Sequence, residues 1–171
     1  SFAELSEEGI RKLSSSCDLL RFRVGQPLTS ATSMPTHALW ILQGECRLLG
    51  NEKDRLATLA RMGSGACVGL ASMLRAAPCE AVTASTEVLA IAVEDKVIVE
   101  LYELEPNFRK WCDQSIWPAE LADLLLRLLK TNAKSDRSIL KRLGTLAQTA
   151  ALLSCNEEQA YGDSKSAKQE L

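Results

Sequence analysis

A chain of 171 residues has room for one hydrophobic core with a helical extension, and is too short for two full domains. Hydrophobic residues make up 46% and charged residues 25%, the balance of an ordinary globular protein in water, and no apolar run reaches the roughly 18 to 20 residues that cross a bilayer. The formal net charge of −2 supplies no positive field for a phosphate backbone, so nucleic acid is not expected as a partner.

The opening Ser1-Phe-Ala-Glu-Leu-Ser-Glu-Glu carries acids where a secretory signal carries basic and apolar residues, and a cytoplasmic location follows as the expectation. Ala3 to Cys17 reads as a short helix: Leu5, Ile10 and Leu13 recur at helical spacing, Ser6 caps the start, and Glu7 and Glu8 suit its positive end. Leu20 to Val24 then alternates, with Phe22 on one face and Arg21 and Arg23 on the other, as a half-buried strand requires. Gly25-Gln-Pro27 makes a turn. His37 to Gln43 and Glu45 to Leu49 are two β-rich runs around Gly44, and Gly50 to Asp54 is a polar hairpin tip. Arg55 to Arg61 alternates again, and Met62-Gly-Ser-Gly65 precedes a short strand at Ala66 to Val68. Leu70 to Ala76 forms one or two helical turns, ended by Pro78. Strands follow at Glu80 to Ala84 and Val88 to Val93.

From Glu94 the pattern is helical: one helix to Leu104, a second opened by Pro106 through about Ser115, and a third opened by Pro118. In the third, Leu121, Leu124, Leu125, Leu128 and Leu129 form a stripe, with Asp123, Arg127 and Lys130 turned elsewhere. Trp111 and Trp117 flank it. A further amphipathic segment, Asp136 to Leu153, carries Ile139, Leu140, Leu143, Leu146 and Ala150 on one face, and the chain then turns polar.

Short helix, seven or eight strands with one turn of helix inserted late, then helices: this order joins Trp40-Ile-Leu-Gln-Gly44-Glu45-Cys-Arg-Leu and Leu59-Ala-Arg-Met-Gly-Ser-Gly65-Ala-Cys-Val-Gly69. Together they resemble the cyclic-nucleotide-binding domain of Crp/Fnr-type regulators, kinase regulatory subunits and some channels and transporters, over about residues 1–130. The resemblance implies a mainly β fold with flanking α-helices, a double-stranded β-helix or jelly roll, followed by a helical extension over 131–155 and a polar tail over 156–171. It also implies that the segment after Gly69 corresponds to the family's phosphate-binding cassette, where a glutamate accepts from the ribose hydroxyl while helix-start amides and an arginine grip the cyclic phosphate.

Here Leu70 stands at the glutamate position, and Pro78, or Cys79 if one residue slips, at the arginine position. Each lost charge-assisted contact is worth roughly 1.5 to 3 kcal/mol, so losing both weakens binding by about two to four orders of magnitude. Glu80 adds repulsion toward a phosphate, the amides of Ala71 and Ser72 remain as a weak anion site, and Ala81 and Val82 close the segment. Arg75 is either an exposed arginine on a helical turn or a substitute reaching across the anion site.

Other chemistries fit less well. Metal-dependent β-roll enzymes need two or three histidines, and this chain has one, His37, read as a partly exposed loop residue. A cysteine nucleophile would have only that histidine to activate it. The six cysteines, Cys17, Cys46, Cys67, Cys79, Cys112 and Cys155, include no C-x-x-C pair, so packed free thiols are expected rather than a zinc knuckle. Arg137, Lys141 and Arg142 read as the solvated face of the last helix, which leaves too little chain for the DNA-binding module of Crp-type regulators.

The expected function is a regulatory or interaction module, with neither metal, cofactor nor catalytic residue, that does not hold cyclic nucleotides tightly. A start without methionine suggests a segment cut from a longer protein, of which a bacterial ABC exporter is one setting. The alternative is a live sensor, using Arg75 for a cyclic nucleotide or taking a more apolar ligand beside Leu70, Met73 and Leu74. Partners are other domains of the parent, a protein partner, or a second copy through Leu121, Leu124, Leu125 and Leu128.

Overall fold

The structure is a computed structural model that describes residues 5–52, 55–131 and Leu146, the side chains of 51–52, 55 and 128–131 excepted. The expected extension and tail, with the second apolar stripe and the basic trio Arg137, Lys141 and Arg142, lie outside the described residues apart from Leu146.

Helix α1 spans Glu7–Ser15, with the Ser6 hydroxyl accepting from the Gly9 N–H as its cap. It is shorter than the expected Ala3–Cys17, because the backbone of Cys17 already pairs with Val93. Eight strands follow: β1 Cys17–Phe22, β2 Pro27–Thr29, β3 His37–Gln43, β4 Cys46–Glu52, β5 Arg55–Met62, β6 Cys67–Val68, β7 Ala81–Ala84 and β8 Val88–Glu94. Helix α2, Leu70–Leu74, lies between β6 and β7; α3 Asp95–Leu104, α4 Pro106–Gln114 and α5 Pro118–Thr131 close the order.

The strands form two four-stranded sheets, β1-β8-β3-β6 and β2-β7-β4-β5. The first strand pairs with the last, the second with the seventh, the third with the sixth and the fourth with the fifth, all antiparallel. One long hairpin has thus been wound up on itself, which is the double-stranded β-helix that the resemblance implies. Strand β2 falls where the sequence pattern reads as turn; its three residues are held by β7. The expected hairpin tip at Gly50–Asp54 begins later, since β4 runs on to Glu52 and Gly50 pairs with Ala57. A Cβ at Gly50 would lie 2.5 Å from Leu59 Cδ1, so the leucine fills the space that glycine leaves.

Strand β3 is buried on both faces. Leu39 and Ile41 point into the roll with Leu48, Leu59, Val82, Val88 and Ala90, while Ala38 and Trp40 join a second core with Val97, Leu101 and Phe108 from the helices and Trp117 from the connection before α5. Its near-continuous hydrophobic run follows from that double burial, as does the pinning of α3 and α4 to its sheet. Trp111 packs edge-on against Trp117, centroids 5.4 Å apart, so these tryptophans anchor helices within the chain.

Gly44 turns the chain between β3 and β4 with φ +95°, and a Cβ there would lie 2.1 Å from the Glu87 carbonyl oxygen. Gly44→Ala is therefore expected to cost about 1 to 3 kcal/mol, read as a lower urea midpoint at unchanged slope.

Candidate functional site

Strand β6 delivers the chain to Gly69, whose φ of +92° turns it into α2; a Cβ there would approach the His37 carbonyl oxygen to 2.9 Å. Leu70, Ala71 and Ser72 are buried. Leu70 and Ala71 point into the helical core, so at the position where the family resemblance implies a ribose-binding glutamate there is only a hydrocarbon facing away from the roll. The segment leaves α2 through Ala76, at φ +50°, and returns by Pro78 and Cys79 to β7.

Glu80 differs from its expected role. It is almost fully buried, and its Oε2 accepts from the Ser72 N–H at 3.1 Å and the Ser72 hydroxyl at 3.2 Å. The Ser72 hydroxyl in turn accepts from the Cys79 N–H at 3.1 Å. The carboxylate does not repel an incoming anion from the surface; it already occupies the α2 end where Ala71 and Ser72 were expected to offer a weak anion site. A buried N–H with no water at hand needs an internal acceptor, and Glu80 supplies it. Burial pushes its pKa above the usual carboxylate value, and the N–H groups of Ser72 and Gly69 and the Ser72 hydroxyl pull it part of the way back.

Arg75 also departs from both expectations. It does not stand free on a helical turn, and an anion would meet it already paired, because its Nη2 donates to Asp123 Oδ2 at 2.9 Å, with Glu120 Oε1 4.0 Å from its Nε. Asp123, expected to turn elsewhere, accepts from Arg127 Nη2 on the same oxygen at 2.9 Å. The hydrogen bond that Arg75 donates to Asp123 is the largest influence holding the Arg75 proton. Burial alone would raise the Asp123 carboxyl, but the two arginines outweigh it and hold it below the usual range. Burial raises Glu120, with Arg75 opposing.

These pairs tie α2 to α5. The innermost residues of α5 are small: Ala119 and Ala122 are buried in the roll's core, with Leu121, Leu125 and Leu126 partly buried against it. The expected stripe is therefore split. Leu121 and Leu125 lean on the roll, Leu124 remains 55% exposed, and the Leu128 side chain lies outside those described.

Between α5, the segment Arg75–Cys79 and strands β4, β5 and β7 is a cleft of about 390 Å³. Of the expected pocket residues, Arg75, Pro78, Cys79 and Ala81 line it, whereas Leu70, Ala71, Ser72, Glu80 and Val82 are buried behind. Asp123, Leu126 and Arg127 complete it from α5, and sequence reasoning missed them: 48 positions separate Arg75 from Asp123, and no local pattern links the two. His37 is the first residue of β3, not a loop residue, and its Nδ1 lies 2.9 Å from the Thr36 hydroxyl. Cys17, Cys46, Cys67, Cys79 and Cys112 are free thiols, and burial pushes Cys46 up to about 11; Cys155 lies outside the described residues. Among the described residues no helix is long and apolar enough to cross a membrane.

No protein-family model matches the sequence, and no curated protein is similar to it at the sequence level. Solved structures are similar in fold. The regulatory subunit of a cAMP-independent protein kinase A from Trypanosoma brucei, as a triple mutant bound to cAMP in its A site, superimposes with TM-score 0.51 at 17% identity over 64% of this chain and 44% of that one. The Thermus thermophilus catabolite activator protein gives 0.55 at 20% identity over 76% and 58%, and a cyclic nucleotide-binding domain from Methylobacillus flagellatus 0.55 at 21% over 90% and 80%. The chain thus spans about half the length of the first two. Two antiparallel sheets wound as one hairpin, flanked by helices, give this chain the cyclic nucleotide-binding β-roll fold.

Proposed function

We propose that the chain is a regulatory or interaction module built on a cyclic nucleotide-binding-like roll that does not hold cyclic nucleotides tightly. One observation carries the reading: both groups suited to hold a cyclic phosphate already have internal carboxylates, Glu80 on the start of α2 and Asp123 on Arg75. A cyclic nucleotide would have to displace a buried acid without the arginine and glutamate that usually reward it. The moving part is α5. Because it seats on the roll through two alanines and the Arg75 pair, a change at its C-terminal end shifts the balance between docked and undocked states, as a two-state regulator requires. Leu124 leaves a seam for another domain of a parent protein or a second copy. A setting in a longer bacterial protein, an exporter among them, rests on the resemblance alone.

Calorimetric titration of the full chain with cyclic AMP and cyclic GMP tests the reading. Neither is expected to give saturable heat at micromolar concentration. Tight binding that Arg75→Gln abolishes would overturn it and identify Arg75 as the phosphate ligand.

A further inference from the structure

The cleft beside Arg75 has an unusual wall. Among the described residues lining it are Leu48, Leu56, Leu59, Pro78 and Leu126, and no aromatic, hydroxyl or amide side chain. None of these side chains reads the edge of a base or the hydroxyls of a sugar. Among the described residues the polar side is Cys79 and the charged group of Arg75, Asp123 and Arg127.

Within that group Arg75 is incompletely satisfied. Its side chain is 26% exposed, and its Nη1 is buried without an oxygen acceptor, the softer sulfur of Cys79 being the further group the guanidinium bonds. A guanidinium presents two parallel N–H groups to a carboxylate when geometry allows, yet here Asp123 offers a single oxygen, shared with Arg127. Releasing Arg75 leaves Asp123 still paired to Arg127, so the exchange strands no charge. A ligand anion that engages Nη1 and Nη2 together gives Nη1 the oxygen acceptor that the resting state lacks.

We propose that this cleft binds a compact apolar monocarboxylate, whose anionic end takes Arg75 from Asp123 while its hydrocarbon body lies against the leucines. This deepens the reading above and rests on it, since the occupant is of a chemical class other than a cyclic nucleotide. A cleft of about 390 Å³ lies near the small end of ligand sites, and burial of hydrocarbon against leucine supplies the non-directional part of the affinity. Because the ligand breaks the Arg75–Asp123 link, its arrival loosens α5 from α2: the carboxylate acts as a release signal.

Calorimetry on the full chain with octanoate, and with neutral 1-octanol as the uncharged counterpart, tests the proposal. Octanoate is expected to saturate a single site at millimolar concentration or below, with octanol at least about tenfold weaker. Arg75→Gln is expected to weaken octanoate by about tenfold to a hundredfold, with circular dichroism confirming that the variant is folded. Asp123→Asn, which keeps Arg75 and removes its competitor, is expected to bind octanoate severalfold more tightly. Absence of saturable heat, equal affinity for octanol, an unaffected Arg75→Gln, or weaker binding by Asp123→Asn each overturns the proposal. Cyclic AMP in a parallel titration separates the two readings: silence toward both ligands removes only the carboxylate, whereas tight cyclic AMP binding removes the function proposed above.

Discussion

Glu80→Ala is expected to lose about 3 to 5 kcal/mol of stability, because it strips the acceptor from a buried N–H and a buried hydroxyl on Ser72 and leaves a void behind them. Chemical denaturation measures the loss. Glu80→Gln keeps one acceptor oxygen and is expected to lie within about 1 kcal/mol of the parent near neutral pH. The two proteins then diverge with pH in a definite direction. Burial raises the Glu80 carboxyl in the folded state, so the folded chain binds more protons than the unfolded one between the ordinary carboxylate value and the raised one. The stability from that protonation is fully present below the unfolded value and is lost as pH rises through the folded value. The parent should gain on Glu80→Gln as the solution is acidified through that window, and a gap that widens the other way would contradict the burial of this carboxylate. Comparing the parent with Glu80→Gln cancels Asp123, whose lowered value pushes in the opposite direction.

Ala122→Glu is expected to undock α5 while the roll stays folded. Ala122 is buried among the residues of the roll's core, and an unpaired carboxylate there costs about 3 to 5 kcal/mol. The cost cannot exceed the free energy with which α5 is seated, since the helix can leave instead. Hydrogen exchange should then accelerate in Pro118–Thr131 and around Arg75 and remain slow in β3 and β8. Exchange that accelerates equally in all eight strands would mean that α5 is part of the roll's cooperative unit and not a movable element.

The strands other than β2 and the three closing helices were legible because alternation and proline placement are local. Phe22 facing in with Arg21 facing out, Pro106 and Pro118 opening helices, and glycines at the turns each record a constraint within a few residues. The site was legible only in its absences. Leu70 in place of an acid and Pro78 or Cys79 in place of a base can be read from one stretch, but what replaces them cannot. Glu80 was misread because its partner is a backbone N–H of Ser72 across a tight loop, a donor that no residue letter announces. The pairing of Asp123 was missed because helical periodicity sorts polar from apolar without saying which polar residue meets a distant arginine. The leucine stripe misled for a related reason. Close approach of a helix to a sheet selects the smallest side chains, so Ala119 and Ala122 lie innermost although hydrophobicity alone ranks the leucines above them.

The position of β8 has a consequence for how the chain is made. It lies between β1 and β3, so two strands synthesised early must wait, edges bare, for one that emerges some seventy residues after the first begins. Such distant pairing is slow, and meanwhile Leu39, Trp40 and Ile41 present an adhesive surface to any neighbouring chain. Aggregation during synthesis, more than unfolding afterwards, is then the characteristic hazard of this sequence, and any nascent chain released short of Val88 is the species a chaperone must catch.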